Sequence, residues 1–187
     1  MKINKKPGIA EKRLIAALIV VVALLVFLVP TVNAYTYNGY KWTFGTADWR
    51  FSSDFPDGYE QSVKNAANTW SNAGSAFTFN YDSWEITSKV DWTDLGSNGP
   101  LGTTTTNSIG SVILWVVTDI NSAKSWTTSP GSSYPPYDIE TTALHEFGHW
   151  LSLGHSSSSS AVMYQYYMGQ RRSLTQDDIN GINYIYP

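Results

Sequence analysis

The chain has 187 residues, 42% of them hydrophobic, no cysteine and a formal net charge of −3. A chain of this length suits one domain behind a short leader, and the absence of Cys excludes a disulfide-stapled fold. The acidic balance argues against nucleic acid or an anionic membrane face as partner.

Residues 1–34 read as a targeting segment and not as part of the fold. Lys2, Lys5, Lys6, Lys12 and Arg13 form a basic stretch, an uninterrupted apolar run extends from Leu14 to Val29, and Pro30 breaks it. Val32-Asn33-Ala34 then has the small-residue spacing of a signal peptidase site. Cleavage after Ala34 is the expectation. An uncleaved membrane anchor is the alternative, although the run falls slightly short of the roughly 20 residues a spanning helix needs. In both cases the basic flank stays inside and the rest is exported, either secreted to the extracellular space or tethered at the cell surface. Residues 35–187 retain seven of the 12 basic and 14 of the 15 acidic residues, a charge near −7.

Tyr35 to Gly45 is aromatic, alternates around Tyr40, Trp42 and Phe44, and predicts a first strand. Pro56-Asp57 opens a helix to about Ala73, with Val63, Ala66, Ala67 and Trp70 forming an apolar stripe and Gly74 ending it. Phe77 to Tyr81 and Ile86 to Trp92 predict the second and third strands. Asp94 to Thr106, rich in Gly, Asn and Thr, predicts a loop. Val112 to Thr118 is an unbroken apolar run, expected to be a strand buried on both faces. Asn121 to Tyr137 is a long polar connection with three prolines. Asp138 is a good N-cap for the next helix, and Thr175-Gln176-Asp177-Asp178 has the form of a capping box for the last one. This order predicts an α/β sandwich with a mixed sheet.

All three histidines lie within one stretch, HEFGHWLSLGH, from His145 to His155. His145 and His149 stand one helical turn apart, so their imidazoles project from one helix face. With His155 they match the three-ligand set of a catalytic zinc, whose open position holds a water of lowered pKa. Glu146 lies between the first two and is free to act as a base. A structural zinc closed by an Asp or Glu is the other reading of the metal. At the level of function the alternative is a non-catalytic, zinc-stabilised cell-surface binding module, which would have no need of Glu146. Trp150 either borders the cleft or belongs to the core, with core preferred.

The segment from Asp138 onward resembles the matrixins, the matrix-metalloproteinase branch of the metzincin zinc peptidases. DIETTALHEFGHWLSLGH looks like their active-site helix and its exit, AVMY at Ala161 to Tyr164 like their Met-turn, and LTQDDINGINYIYP like their C-terminal helix. Trp42 to Tyr81 is a looser match to the first strand, helix and second strand. The resemblance implies an α/β metzincin-like domain over residues 35–187, with a twisted mixed sheet of about five strands and three helices. It implies a monomeric zinc endopeptidase acting on polypeptide, with the substrate extended against an edge strand within Val112 to Thr118. Glu146 would be the general base, and Met163 the hydrophobic floor under the metal. Tyr164, Gln165, Tyr166 and Tyr167 would form the S1′ wall, and Asp178 would bond near the Met-turn.

Four departures bear on that reading. Ser152 replaces the family's glycine at the helix exit, where a left-handed residue costs about 1 kcal/mol, and Gly154 is expected to absorb part of the turn. Gln165 replaces a proline. No Cys is available for a cysteine switch. The extra histidines of a structural zinc are missing, whereas Asp91, Asp94 and Asn98 form a candidate Ca2+ set, with ordinary turn formation as the alternative.

Overall fold

The computed structural model describes residues 34–131 and 133–187. The targeting segment at residues 1–33 lies outside them. Among the described residues no helix is long and apolar enough to cross a membrane.

The centre is a five-stranded sheet built from β2 (Thr46–Phe51), β3 (Thr78–Tyr81), β4 (Lys89–Thr93), β5 (Gly102–Ile109) and β6 (Val112–Asn121). Its order is β3-β2-β4-β6-β5, parallel except for β5, which runs antiparallel to β6 at the edge. Four two-residue strands complete the β structure among the described residues: β1 (Thr36–Tyr37) pairs with β9 (Leu153–Gly154), and β7 (Trp126–Thr127) pairs with β8 (Tyr137–Asp138).

Helix α1 (Asp57–Ser71) begins after Pro56 and carries Asp57 and Glu60 in its first turn, where acids favour the helix dipole. Its predicted stripe of Val63, Ala66, Ala67 and Trp70 is buried in the same core cluster as Ala47, Trp49 and Phe51, the inward residues of β2. Helix α2 (Ile139–Trp150) packs beside it, and the Trp70 indole donates to the Leu144 carbonyl at 2.7 Å. Asp138 caps α2 as expected, accepting from the Thr141 N–H at 3.0 Å. Helix α3 (Gln176–Ile185) opens with a complete Thr175–Asp178 capping box.

Four expectations need correction. Tyr35 to Gly45 supplies only the short β1. Tyr40 and Trp42 pack on the core, while Phe44 is 88% exposed. The first strand of the sheet is instead Thr46–Phe51. The third strand starts at Lys89, because Glu85 accepts the Ile86, Thr87 and Ser88 N–H groups in a tight turn. Gly102–Ile109, expected as the end of a loop, is the edge strand β5, and its four successive threonines pair with β6. Finally, Val112–Thr118 is not buried on both faces. It alternates, with Ile113, Val116 and Thr118 inside and Leu114 and Trp115 partly outside.

Candidate active site

Helix α2 aims His145 and His149 into a cleft of about 650 Å³, and the chain returns after β9 to bring His155 to the same place. The candidate ligand nitrogens lie within 4.8 Å of one another. Among the described residues this is the one group of three or more His, Cys, Asp or Glu side chains that converges in this way. His145 Nδ1 faces the Val162 carbonyl and His149 Nδ1 the Leu153 carbonyl, each at 2.8 Å. A carbonyl only accepts, so both rings carry their proton on Nδ1. Their Nε2 lone pairs then face each other across 3.2 Å. A cation shared with His155 resolves that opposition, so the donor set fits zinc. Burial lowers the pKa of His145 and His149, which keeps both imidazoles neutral, as ligands must be.

Beneath them Met163 is fully buried. A Cβ on Gly148 would stand 2.1 Å from its sulfur, so α2 needs a bare Cα there for the Met-turn to seat. Asp178 holds that turn, accepting from the Val162 and Met163 N–H groups at 2.9 and 3.1 Å. Asp177 instead accepts the Ala34 and Tyr35 N–H groups. At the exit of α2, Ser152 takes φ 69°, and no positive φ occurs at Gly154, so Ser152 makes the turn unaided.

Glu146 is buried beside the ligands, and burial pushes its carboxyl above the usual range, opposed by His149 and by a hydrogen bond from Thr104. Tyr164, Gln165, Tyr166 and Tyr167 line the cleft, the Tyr167 hydroxyl accepting from the Asp138 N–H at 3.1 Å. Trp150 belongs to the core and is fully buried.

The cleft wall opposite α2 comes from β5, through Gly102, Thr103, Thr104 and Thr106. The strand that borders the cleft is therefore β5. Val112–Thr118 lies within β6, flanked by β4 and β5. The candidate calcium residues lie in β4 and in the loop that follows it. Asp91 pairs with Lys89 at 2.8 Å, Asp94 accepts from the Gly96 N–H, and Asn98 is an exposed turn residue.

The matrixin family profile matches residues 41–187. The chain belongs to the matrixin family. Among its relatives, Metalloendoproteinase 2-MMP of Arabidopsis thaliana is 41% identical over 75 residues, covering 38% of this chain and 18% of the relative. Metalloendoproteinase 1 of Glycine max is 47% identical over 62 residues, covering 32% and 20%, and the interstitial collagenase of Equus caballus is 44% identical over 64 residues, covering 34% and 13%. The matched part thus spans about a fifth or less of these curated relatives.

Three residues of this matrixin site escaped the sequence reading. Asn121, fully buried, accepts from the Leu95 and Ala123 N–H groups and donates to the Gly96 and Pro100 carbonyls, which closes the 94–101 loop that leads into β5. Gly102 and Thr104 stand against Glu146. Their signal was present, since four β-branched threonines in a row favour a strand, but no apolar alternation marked it.

Proposed function

We propose that this matrixin is an exported zinc endopeptidase that hydrolyses extended polypeptides lying along β5. One observation carries the proposal: three converging imidazoles, the Glu146 carboxylate and the free edge of a sheet share one cleft. An edge strand presents unpaired backbone groups, and an extended chain satisfies them by adding as a further strand.

His145, His149 and His155 would hold the metal. Zinc, when bound, supplies Lewis-acid polarisation of the scissile carbonyl and a water of lowered pKa. Glu146 accepts the proton of the attacking water and delivers it to the leaving amine. Burial raises the pKa of Glu146, which makes its carboxylate a stronger base towards the water proton. Tyr164 to Tyr167 form the wall that meets the side chain after the scissile bond, and Gln165 there lacks the rigidity of a proline. Cleavage after Ala34 releases the domain.

The test compares the zinc-loaded chain with Glu146→Ala on an unfolded protein substrate at equal zinc content. Hydrolysis should fall about a hundred- to ten-thousandfold, with zinc retained because no ligand is touched. Undiminished cleavage by the variant would remove Glu146 from the mechanism. Inertness of both proteins with zinc bound would favour a binding module.

A further inference from the structure

Between Glu146 and the core lie two hydroxyls on neighbouring strands. Thr104 on β5 and Thr118 on β6 sit opposite each other in register, with their Oγ1 atoms 2.6 Å apart. Thr104 Oγ1 reaches Glu146 Oε2 at 2.7 Å, and the Trp150 indole Nε1 reaches Thr118 Oγ1 at 2.8 Å.

The direction of this chain follows from its two ends. An indole N–H can only donate, and a carboxylate oxygen only accepts. Thr118 therefore accepts from Trp150 and donates to Thr104, and Thr104 donates to Glu146. Each hydroxyl donates one bond and accepts one, so the three bonds polarise one another in the same sense. Trp150 and Thr118 are both buried, which fixes the far end in packed core. On the other side a Cβ at Gly102 would stand 2.9 Å from Glu146 Oε1. Strand β5 thus grips one carboxylate oxygen with a hydroxyl and leaves room at the other by having no side chain.

We infer that Thr104, backed by Thr118 and Trp150, is the positioning residue for Glu146 in peptide hydrolysis, holding Oε2 so that Oε1 alone is left to serve the substrate side. The inference rests on the general-base reading of Glu146 given above. It also gives β5 a double role, since the strand proposed to align the substrate carries the group that aims the base.

Two variants of the zinc-loaded chain test it. Thr104→Val keeps the shape and removes the hydroxyl. Its kcat should fall about ten- to a hundredfold, the worth of a hydrogen bond to a charged group, with KM and zinc content unchanged. Thr104→Ser should restore kcat to near the starting value. Retained kcat in the Val variant, a loss confined to KM or zinc content, or failure of Ser to rescue would each overturn the inference. A second readout needs neither activity nor a Thr104 variant. In the metal-free chain, the Trp150 indole N–H resonance should move on Glu146→Gln, because a neutral acceptor weakens polarisation along the whole chain. An unmoved resonance would show that the relay does not reach the carboxylate. Glu146→Ala separates the two levels. If it still hydrolyses peptide, the general-base reading falls and takes this inference with it. If it is inert while Thr104→Val is fully active, only the role of Thr104 falls.

Discussion

Ser152 concentrates two costs in one residue. It is the one non-glycine residue with positive φ among the described residues, at 69°. Its backbone is held there on both sides, the Ser152 N–H donating to the His149 carbonyl at 2.9 Å and the Ser152 carbonyl accepting from Asn38 at 2.9 Å. The left-handed conformation costs about 1 kcal/mol in a residue with a Cβ. Its hydroxyl is fully buried with no hydrogen-bond partner, which costs about 1–3 kcal/mol. Ser152→Gly removes both and loses about 0.5–1 kcal/mol to the greater freedom of glycine in the unfolded chain. The net expectation is a gain of about 1–3 kcal/mol, and at about 2–4 °C per kcal/mol for this size a higher melting midpoint. Ser152→Ala separates the two causes, since it removes the hydroxyl and keeps the strained φ. If thermal melts of the metal-free chain show neither variant above the parent, the turn is not strained at this position.

At the scale of elements, one carboxylate joins the Met-turn to α3. Asp178 is fully buried and accepts from the Val162, Met163 and Thr175 N–H groups and from the Thr175 hydroxyl, all within 3.1 Å. Asp178→Ala strands several buried donors at about 1–3 kcal/mol each, so a loss of more than about 3 kcal/mol is expected in denaturant unfolding. Asp178→Asn keeps one accepting oxygen and should lose less, and equal losses would show that acceptance by the carboxyl is not what matters. The capping box that places Asp178 could be read from Thr175 to Asp178, as could α1 from its stripe and α2 from Asp138 and its histidines, because helical signals are local. The strands were harder to read. Thr46–Phe51 does alternate, with Ala47, Trp49 and Phe51 buried, but the denser aromatics of Tyr35 to Gly45 outweighed it. Those aromatics serve the core from an irregular segment, with the Trp42 indole donating to the Trp150 carbonyl at 2.8 Å. In β5 the outer edge opens on the cleft, so no apolar period was required of it, and pairing with β6 provides its order. Thr104 could not be assigned to Glu146 from sequence, because the strand that carries it had first to be placed beside α2.

At the scale of the whole domain, the histidine cluster brings together segments that are otherwise joined by the buried Leu151 and Leu153 and by single hydrogen bonds. The chain contains no disulfide, and the segment around His155 is joined to its surroundings by short contacts. β9 pairs with β1 over two residues, Thr36 Oγ1 donates to the His155 carbonyl at 3.0 Å, and Ser156 and Met163 share a backbone bond at 2.8 Å. A metal on His145, His149 and His155 would cross-link the helix to its own exit and, through β9, to the N-terminal strand. A ligand that binds only the folded state stabilises it by RT ln(1 + [L]/Kd), about 4.1 kcal/mol at a thousandfold excess over Kd. For a domain of this size that corresponds to a fall of about 8–16 °C in melting midpoint on chelation, reversed by adding zinc. The loss should also be uneven. Amides of β9 and the Met-turn should exchange faster in the metal-free chain, while those of β4 and β6, at the centre of the sheet, keep their protection. Uniform acceleration across the sheet would mean that the metal supports the fold as a whole, and no change at β9 would mean that the exit of α2 is held by its hydrogen bonds alone.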